Sequence, residues 1–446
     1  MTRSIMEFPP IEPEISEFNP EYETRTYLIH VITPIYGGGV VPGENDLGMV
    51  IRPSSIRGHL RFWWRATKGA KFENAKQLFV REGEIWGTSD SPSPTNIRIA
   101  QPINEDLRQR KASNNYGFQN KYGPESYVLF PARENESPIC KEGFTFELKV
   151  NWLKHERLQY LRDLENAELR RENKPPKAEK INDIGPDIEA SIWAWTNFGG
   201  VGSRTRRGCG ALFCKHTAPQ NLEIVGKWYQ YHVNGLDLMK QCSWPTLPIE
   251  ILIGQKAGKI EDIWPEAIEI LRSFRQAVGI GRNPGSSRSS KMPGRSRWPE
   301  PESIREVLKS RMPRHQRLDM PIESFPRAEL GLPIVFHFKD NQDPSESELC
   351  PVGHKRMASP IILRPIAFGD GRIGVPLIIR LRSETLNQVE LKIKGKVVAS
   401  FGPKSIRDPK LAAYRGSPMA GRSQIGSSLQ AFVAYAKENG FKEVGL

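Results

Sequence analysis

Twelve residues near the middle of the chain, Gly199 to Gly210 (GGVGSRTRRGCG), restrict what the neighbouring sequence can build, because five of them are glycine and three are arginine. Glycine has no Cβ to hold a partner away, so this backbone can lie close to a ligand while cations project from it. That suits a phosphate chain. The residues before it, DIEASIWAWTNF, place Ile188, Ile192 and Trp195 at i, i+4 and i+7, one apolar stripe of a helix. Asp187 follows a proline and is placed to cap the start, and Gly199 is a natural residue just past the end. The pattern predicts a helix, a glycine-rich basic loop and a short strand within Cys209 to Lys215. A nucleotide-binding P-loop needs the opposite element order and a lysine after its last glycine, and this stretch has neither. A solvated turn with idle arginines is the plainer alternative, and the rest of the chain argues against it.

The chain has 446 residues, 38% of them hydrophobic, and a formal charge of +13, enough apolar sequence for more than one core and a charge that makes a polyanion the first partner to consider. Five cysteines without a CxxC pair fit neither a disulfide framework nor a zinc site. No apolar run reaches the ~18 residues that span a membrane, and MTRSIMEFPPIEPEISEF is acidic rather than signal-like, so a reduced, soluble, cytoplasmic protein is expected.

The second informative stretch is IRPSSIRGHLRFWWRATKG. A helix from about Ser55 to Thr67 would put Ile56, Leu60, Trp63 and Trp64 on one face and Arg57, Arg61, Arg65 and Lys68 on the next, with Arg52 just before the cap. Solvated faces normally mix signs, and this one has no acid before Glu73. It reads as a cationic rail for phosphates.

Upstream, Tyr27 to Ile32 reads as a buried strand ending at a triple glycine, with His30 a hydrogen-bonded core or edge residue. Residues 1–20 read as an arm. Between Asp90 and Pro124 the chain is polar, and Asn114, Tyr116, Phe118 and Tyr122 alternate there with Arg110, Lys111 and Lys121. Such a loop either stacks bases or is ordinary. Strands at Tyr127 to Phe130 and Phe144 to Val150, then a charged helix over 154–180, complete a βαββαβ plan, the split arrangement of ferredoxin-like and RNA-recognition domains. In the second half the pattern partly repeats: a strand at Leu247 to Ile253, a helix over DIWPEAIEILRSFRQAV, then the basic loop 279–298 with Arg282, Arg288, Arg295 and Arg297. Between Arg272 and Arg317 ten arginines stand against three glutamates. Further strands and a late helix, SSLQAFVAYAKEN, follow.

These motifs resemble the RAMP superfamily of CRISPR–Cas systems. Gly200-Val201-Gly202, five residues, then Gly208-Cys209-Gly210 matches its glycine-rich signature, with Cys209 standing where many relatives carry a larger apolar residue. TPIYGGG, IRPSSIRGHLRFWWR, NFGGVGSRTRRG and GRSRWPE in this order look like the first RAMP subunit of type III-B (Cmr) effector complexes. The likeness runs from about Tyr27 to Leu381, leaving the last sixty or so residues outside it. It implies an α+β fold of two ferredoxin-like, RRM-like domains with antiparallel sheets, over 1–225 and 226–446, the latter with a C-terminal extension. It further implies a non-catalytic subunit that grips guide RNA towards its 3′ end, capping a row of other RAMP subunits near the target RNA entry. No cofactor, metal, membrane or small-molecule substrate is expected. The RNA-binding residues so implied are Arg52, Arg57, Arg61, Trp63, Trp64, Arg65 and Lys68 on the helix. In the loop they are Gly200, Gly202, Ser203, Arg204, Arg206, Arg207 and Gly208, with Arg282, Arg288, Arg295 and Arg297 beyond.

The competing reading is a metal-independent endoribonuclease, which needs an acid and a base in reach of a 2′-hydroxyl. His59 lies roughly opposite the arginine face on the predicted helix, and His216, after the loop, is the other candidate. HExxH, an HD pair and clustered acids are all absent from the sequence.

Overall fold

The computed structural model describes residues 21–41, 43–46, 49–100, 123–134, 139–140, 142–238, 242–285, 293–313, 318–338 and 340–445. The arm at 1–20, the aromatic and basic loop from Arg110 to Tyr122, and Arg288 lie outside the described residues.

Alternating burial in β1 (Tyr22–Val31), where Tyr27, Ile29 and Val31 face inward and Leu28 outward, marks a strand with one face on a core. It is followed by α1 (Pro53–Ala66), α2 (Ala75–Trp86), β2 (Thr95–Ala100), β3 (Phe144–Leu153), α3 (His155–Arg171), α4 (Gly185–Phe198) and β4 (Leu212–Phe213). After α5 (Val225–Val233) come β5 (Glu250–Ile253), α6 (Ile260–Gln276), β6 (Arg282–Pro284), β7 (Pro293–Ser296), α7 (Glu300–Val307), β8 (Ile334–Phe336) and β9 (Ser347–Pro351). Then follow β10 (Ile361–Phe368), β11 (Ile373–Arg380), β12 (Val389–Ile393), β13 (Lys396–Phe401), α8 (Ser428–Glu438) and β14 (Lys442–Gly445).

The fold is α+β with antiparallel sheets. The first sheet runs β2-β3-β1-β4, so its strands lie in the order second, third, first, fourth. Another sheet runs β10-β11-β5-β14, which is the same order by chain position. Two insertions, one on each side of the β10–β11 hairpin, build a further sheet, β8-β9-β12-β13, and β6 pairs with β7 as a separate ribbon.

Three expectations change here. Tyr127 to Phe130 lies across two short helices, Pro124–Val128 and Phe130–Glu134, rather than in a strand, and Pro124 after Gly123 is a ready first helical residue. The last residues are integral to the second sheet, since α8 and β14 supply its final helix and edge strand. The apparent repeat of helix and Gly-Arg loop is not topological: α6 follows the first strand of its unit, as α1 does, whereas α4 precedes the fourth.

The apolar core is continuous across the two sheets. Ile29, Trp63 and Phe198 belong to the same cluster as Ile362, Ile366, Val375 and Leu377 of the β10–β11 hairpin. In helix α4 every residue from Ser191 to Phe198 is buried, the signature of a helix end enclosed by neighbours. His30 bonds the Thr145 hydroxyl at 2.9 Å, as its strand position suggested. No helix among the described residues is long and apolar enough to cross a membrane.

On α5, His232 stacks on Trp193 with ring centroids 4.4 Å apart, and burial pushes its pKa from 6.5 down to about 4. Between those values the unfolded chain binds the proton that the folded one refuses, so this residue makes stability fall as pH drops from about 6.5 towards 4. Thermal unfolding of His232→Phe across that window is expected to show a flatter pH dependence than the parent chain.

Candidate nucleic-acid interface

The glycine loop is a folded knot rather than an open cradle. Val201 N–H donates to Gly210 O at 2.9 Å, Ser203 N–H to Tyr36 O at 2.6 Å and Gly210 N–H to Pro34 O at 2.8 Å. Thr205–Arg207 forms a single 3-10 turn, with Arg204 and Gly208 in left-handed conformation at its ends. A Cβ on Gly210 would sit 2.0 Å from Val201 O, and one on Gly208 would meet Trp264 Nε1 at 2.7 Å. The glycines thus permit close approach, but the approaching groups are the protein's own.

Its arginines point three ways. The Arg204 guanidinium lies 4.7 Å over the Phe130 ring. Arg206 lies 5.7 Å over Phe62 of α1 and donates to Ser359 O. Arg207 donates to Ile361 O at 3.0 Å, and burial lowers its pKa to about 10, still charged at neutral pH. Arg206 and Arg207 therefore tie the loop to the start of β10.

Helix α1 buries the predicted face. Trp63 and Trp64 are 3% and 0% exposed, and Trp64 Nε1 donates to Asp187 Oδ1 at 2.7 Å. Both indoles are core groups, so neither offers a ring for base stacking. Asp187 does not cap α4: it sits in the first turn, holding Trp64 and, at 2.7 Å, Arg81 Nη2. On the neighbouring face the missing acid comes from α2. Glu82 Oε1 accepts from Arg61 Nε at 2.6 Å and Arg65 Nη1 at 2.7 Å, while both arginine side chains stay about a third exposed. Arg57 donates to Ser93 Oγ at 2.8 Å and to Trp86 O and Thr95 O, each at 3.1 Å. Lys68 follows in a partly buried 3-10 turn. Arg61 and Arg65 thus share one carboxylate, while Arg57 is held by neutral oxygens. At the helix start, Arg52 donates to Gly38 O, beside the close approach of Gly38 to Gly202, and its Nε is buried with no hydrogen-bond partner.

In the second basic segment, Arg282 donates to Gly294 O at 3.2 Å, Arg295 pairs with Glu302 at 2.5 Å, and Arg297 donates to Gly416 O at 2.8 Å. These three stand apart from the α1 rail, along a different unit.

Two arginines that sequence reading passed over stand out. Arg364, within β10, is 1% exposed and meets four carbonyls: Leu212 at 2.6 Å, Pro365 at 2.9 Å, Thr196 at 3.2 Å, and Gly199. Burial lowers its pKa to about 9. The available signal was a charge inside the apolar run IILRPIAF. Arg380, at the end of β11, shares a cavity of about 920 Å³ with Arg206, Arg382 and the Arg407–Glu329 pair. Among the described residues no group of three or more His, Cys, Asp or Glu is placed to hold a metal.

Residues 28–213, which contain both the α1 rail and the glycine loop, match the RAMP superfamily profile. Over this span the chain is similar to the RAMP superfamily. Among curated proteins the chain is 24% identical over 275 residues to the CRISPR system Cmr subunit Cmr1-1 of Pyrococcus furiosus, covering 60% of this chain and 68% of that one. Among solved structures it is similar to the crystal structure of Cmr1 from Pyrococcus furiosus in its apo form, at TM-score 0.45 and 14% identity over 82% of this chain and 89% of that one. It is also similar to a chain in the cryo-EM structure of the Type III-B Cmr-beta bound to cognate target RNA, at TM-score 0.42 and 11% identity over 83% of this chain and 95% of that one. The matched span ends at β4, one residue after the Leu212 carbonyl that Arg364 holds.

Replacing Arg364 by methionine leaves the Thr196, Gly199 and Leu212 carbonyls buried without donors. The expected loss is about 3 kcal/mol or more of unfolding free energy in urea, and Arg364→Lys recovers only part of it, since one ammonium cannot reproduce the planar fork.

Proposed function

We propose that the protein is a non-catalytic RNA-binding subunit of a type III-B CRISPR effector complex. In this reading it grips guide RNA towards the 3′ end and caps the row of backbone subunits near the target RNA entry. The observation that carries the RNA-binding part is the α1 face, where Arg61 and Arg65 share the carboxylate of Glu82, Arg57 is held by neutral oxygens, and these three and Lys68 stay partly exposed. Guanidinium surplus on a rigid helix is what a phosphate backbone requires, and it reads charge spacing rather than base identity. Arg52, Arg204 and Arg206, each half-buried, continue the basic surface around the loop. The matched curated relative is named as a Cmr subunit, which supports placement within such a complex. The shared strand order of the two sheets supports reading the units, divided near residue 225, as ferredoxin-like domains.

The endoribonuclease alternative rests on His59 and His216. His59 is stacked on Trp195 at 6.3 Å, with a pKa lowered by burial, and His216 sits exposed in a turn after β4. Among the described residues neither ring shares a hydrogen bond or ion pair with an acid or base. Incubation of the pure chain with labelled single-stranded RNA in EDTA is expected to leave the RNA intact. Products that vanish in His59→Ala or His216→Ala would establish the enzyme instead.

Binding is expected to weaken steeply with salt and to depend little on sequence. In a titration of single-stranded RNA, Lys68→Gln combined with Arg204→Gln should lower the log–log salt slope by about 1.4, ~0.7 for each phosphate no longer neutralised. An unchanged slope with an unchanged fold would remove these residues from the interface.

A further inference from the structure

The β6–β7 ribbon roofs a second cavity of about 580 Å³, within the roughly 300–1,000 Å³ range of small-ligand sites. Its floor comes from α6, α7 and β8. Three acids line it, Glu302, Asp340 and Asp343, and none of them is free. Glu302 takes Arg295, Arg305 and Arg311 at 2.5 to 2.9 Å, which outweighs the effect of burial and holds its pKa below the carboxylate range. Asp343 takes Arg305 through both oxygens, at 2.8 and 3.1 Å, and the Met312 N–H at 3.1 Å.

Arg275 and Arg282 are left over. Among the described residues neither has a carboxylate within ion-pair distance. Arg275 donates to the Tyr127 hydroxyl at 2.9 Å, and its Nε is buried without an acceptor. Among the described residues the Arg282 guanidinium donates to the Gly294 carbonyl at 3.2 Å. Both charges are felt by Arg327, which adjoins the same space and pairs with Glu300 at 3.0 Å. Phe338, partly exposed, lines the same cavity, with Arg305 stacked at 5.0 Å over its ring. Uncompensated guanidinia clustered in a concavity next to an aromatic face offer a phosphate site and a base site together.

We propose that this cavity binds a nucleoside monophosphate unit, its phosphate between Arg275 and Arg282 and its base on Phe338. As a unit of a bound strand, it rests on the RNA reading above and adds a pocket that takes one nucleotide out of the chain.

Calorimetric titration of the full chain with adenosine 5′-monophosphate tests the pocket, and anisotropy with single-stranded RNA tests its use. Adenosine 5′-monophosphate is expected to bind at least about tenfold tighter than adenosine or inorganic phosphate. Arg282→Gln, on the ribbon and away from any buried pair, should lose that binding with no change in melting temperature and reduce the RNA salt slope by about 0.7. Phe338→Leu should weaken the nucleotide more than phosphate. Inorganic phosphate binding as tightly as the nucleotide overturns the proposal. RNA binding equally to parent and Arg282→Gln, with no nucleotide binding, overturns it too while leaving the wider RNA reading in place. Nucleotide binding by a chain that takes up no RNA assigns the cavity to a free nucleotide and sinks the RNA reading.

Discussion

Everything around the glycine loop depends on one buried guanidinium. A helix ends with carbonyls that its own backbone cannot satisfy, and α4 ends inside the protein, where water cannot substitute. Arg364 reaches from β10 to Thr196 and Gly199 at that end and to Leu212 on the far side of the loop. Its charge loses hydration there, as its lowered pKa reflects, but the negative end of the helix dipole and a full set of acceptors offset the loss. The loop is thereby pinned at both ends to a strand of the other unit, and its arginines are oriented by that attachment.

Local structure was legible where periodicity carried it. The 3.6-residue pattern placed Ile56, Leu60, Trp63 and Trp64 inside α1 and the arginines beside them, because one helix decides both faces. What lay on other elements was hidden. Glu82 neutralises part of the rail from α2, a turn and a helix away, and Asp187 was a natural cap by position but serves as the acceptor for Trp64 and Arg81. The glycine loop's capacity for close approach was readable, yet the identity of its partners was not, since Tyr36, Pro34 and Leu363 come from distant segments. Likewise no local signal tells that Lys442–Gly445 completes a sheet begun at Glu250. Residue separation, rather than weak propensity, set the limit.

The Glu82 arrangement also shapes how an anion can bind. A phosphate arriving at Arg61 and Arg65 enters a site already holding a carboxylate oxygen at 2.6 and 2.7 Å, so its gain is the difference between two anions rather than the whole attraction. One isolated phosphate profits little from that exchange. A polymer that also reached Lys68, Arg52 and the loop would sum several small gains.

The reach of Arg364 has a consequence for how the chain is made. Its hydrogen bond to Gly199 closes a separation of 165 residues. While the N-terminal unit emerges from the ribosome, the end of α4 has no donor, and the apolar side of that helix has no β10–β11 hairpin to cover it. Pairings this distant in sequence form late and slowly. The first half must therefore wait, partly open, for a strand synthesised much later, and during that interval it is the portion most in need of protection from aggregation.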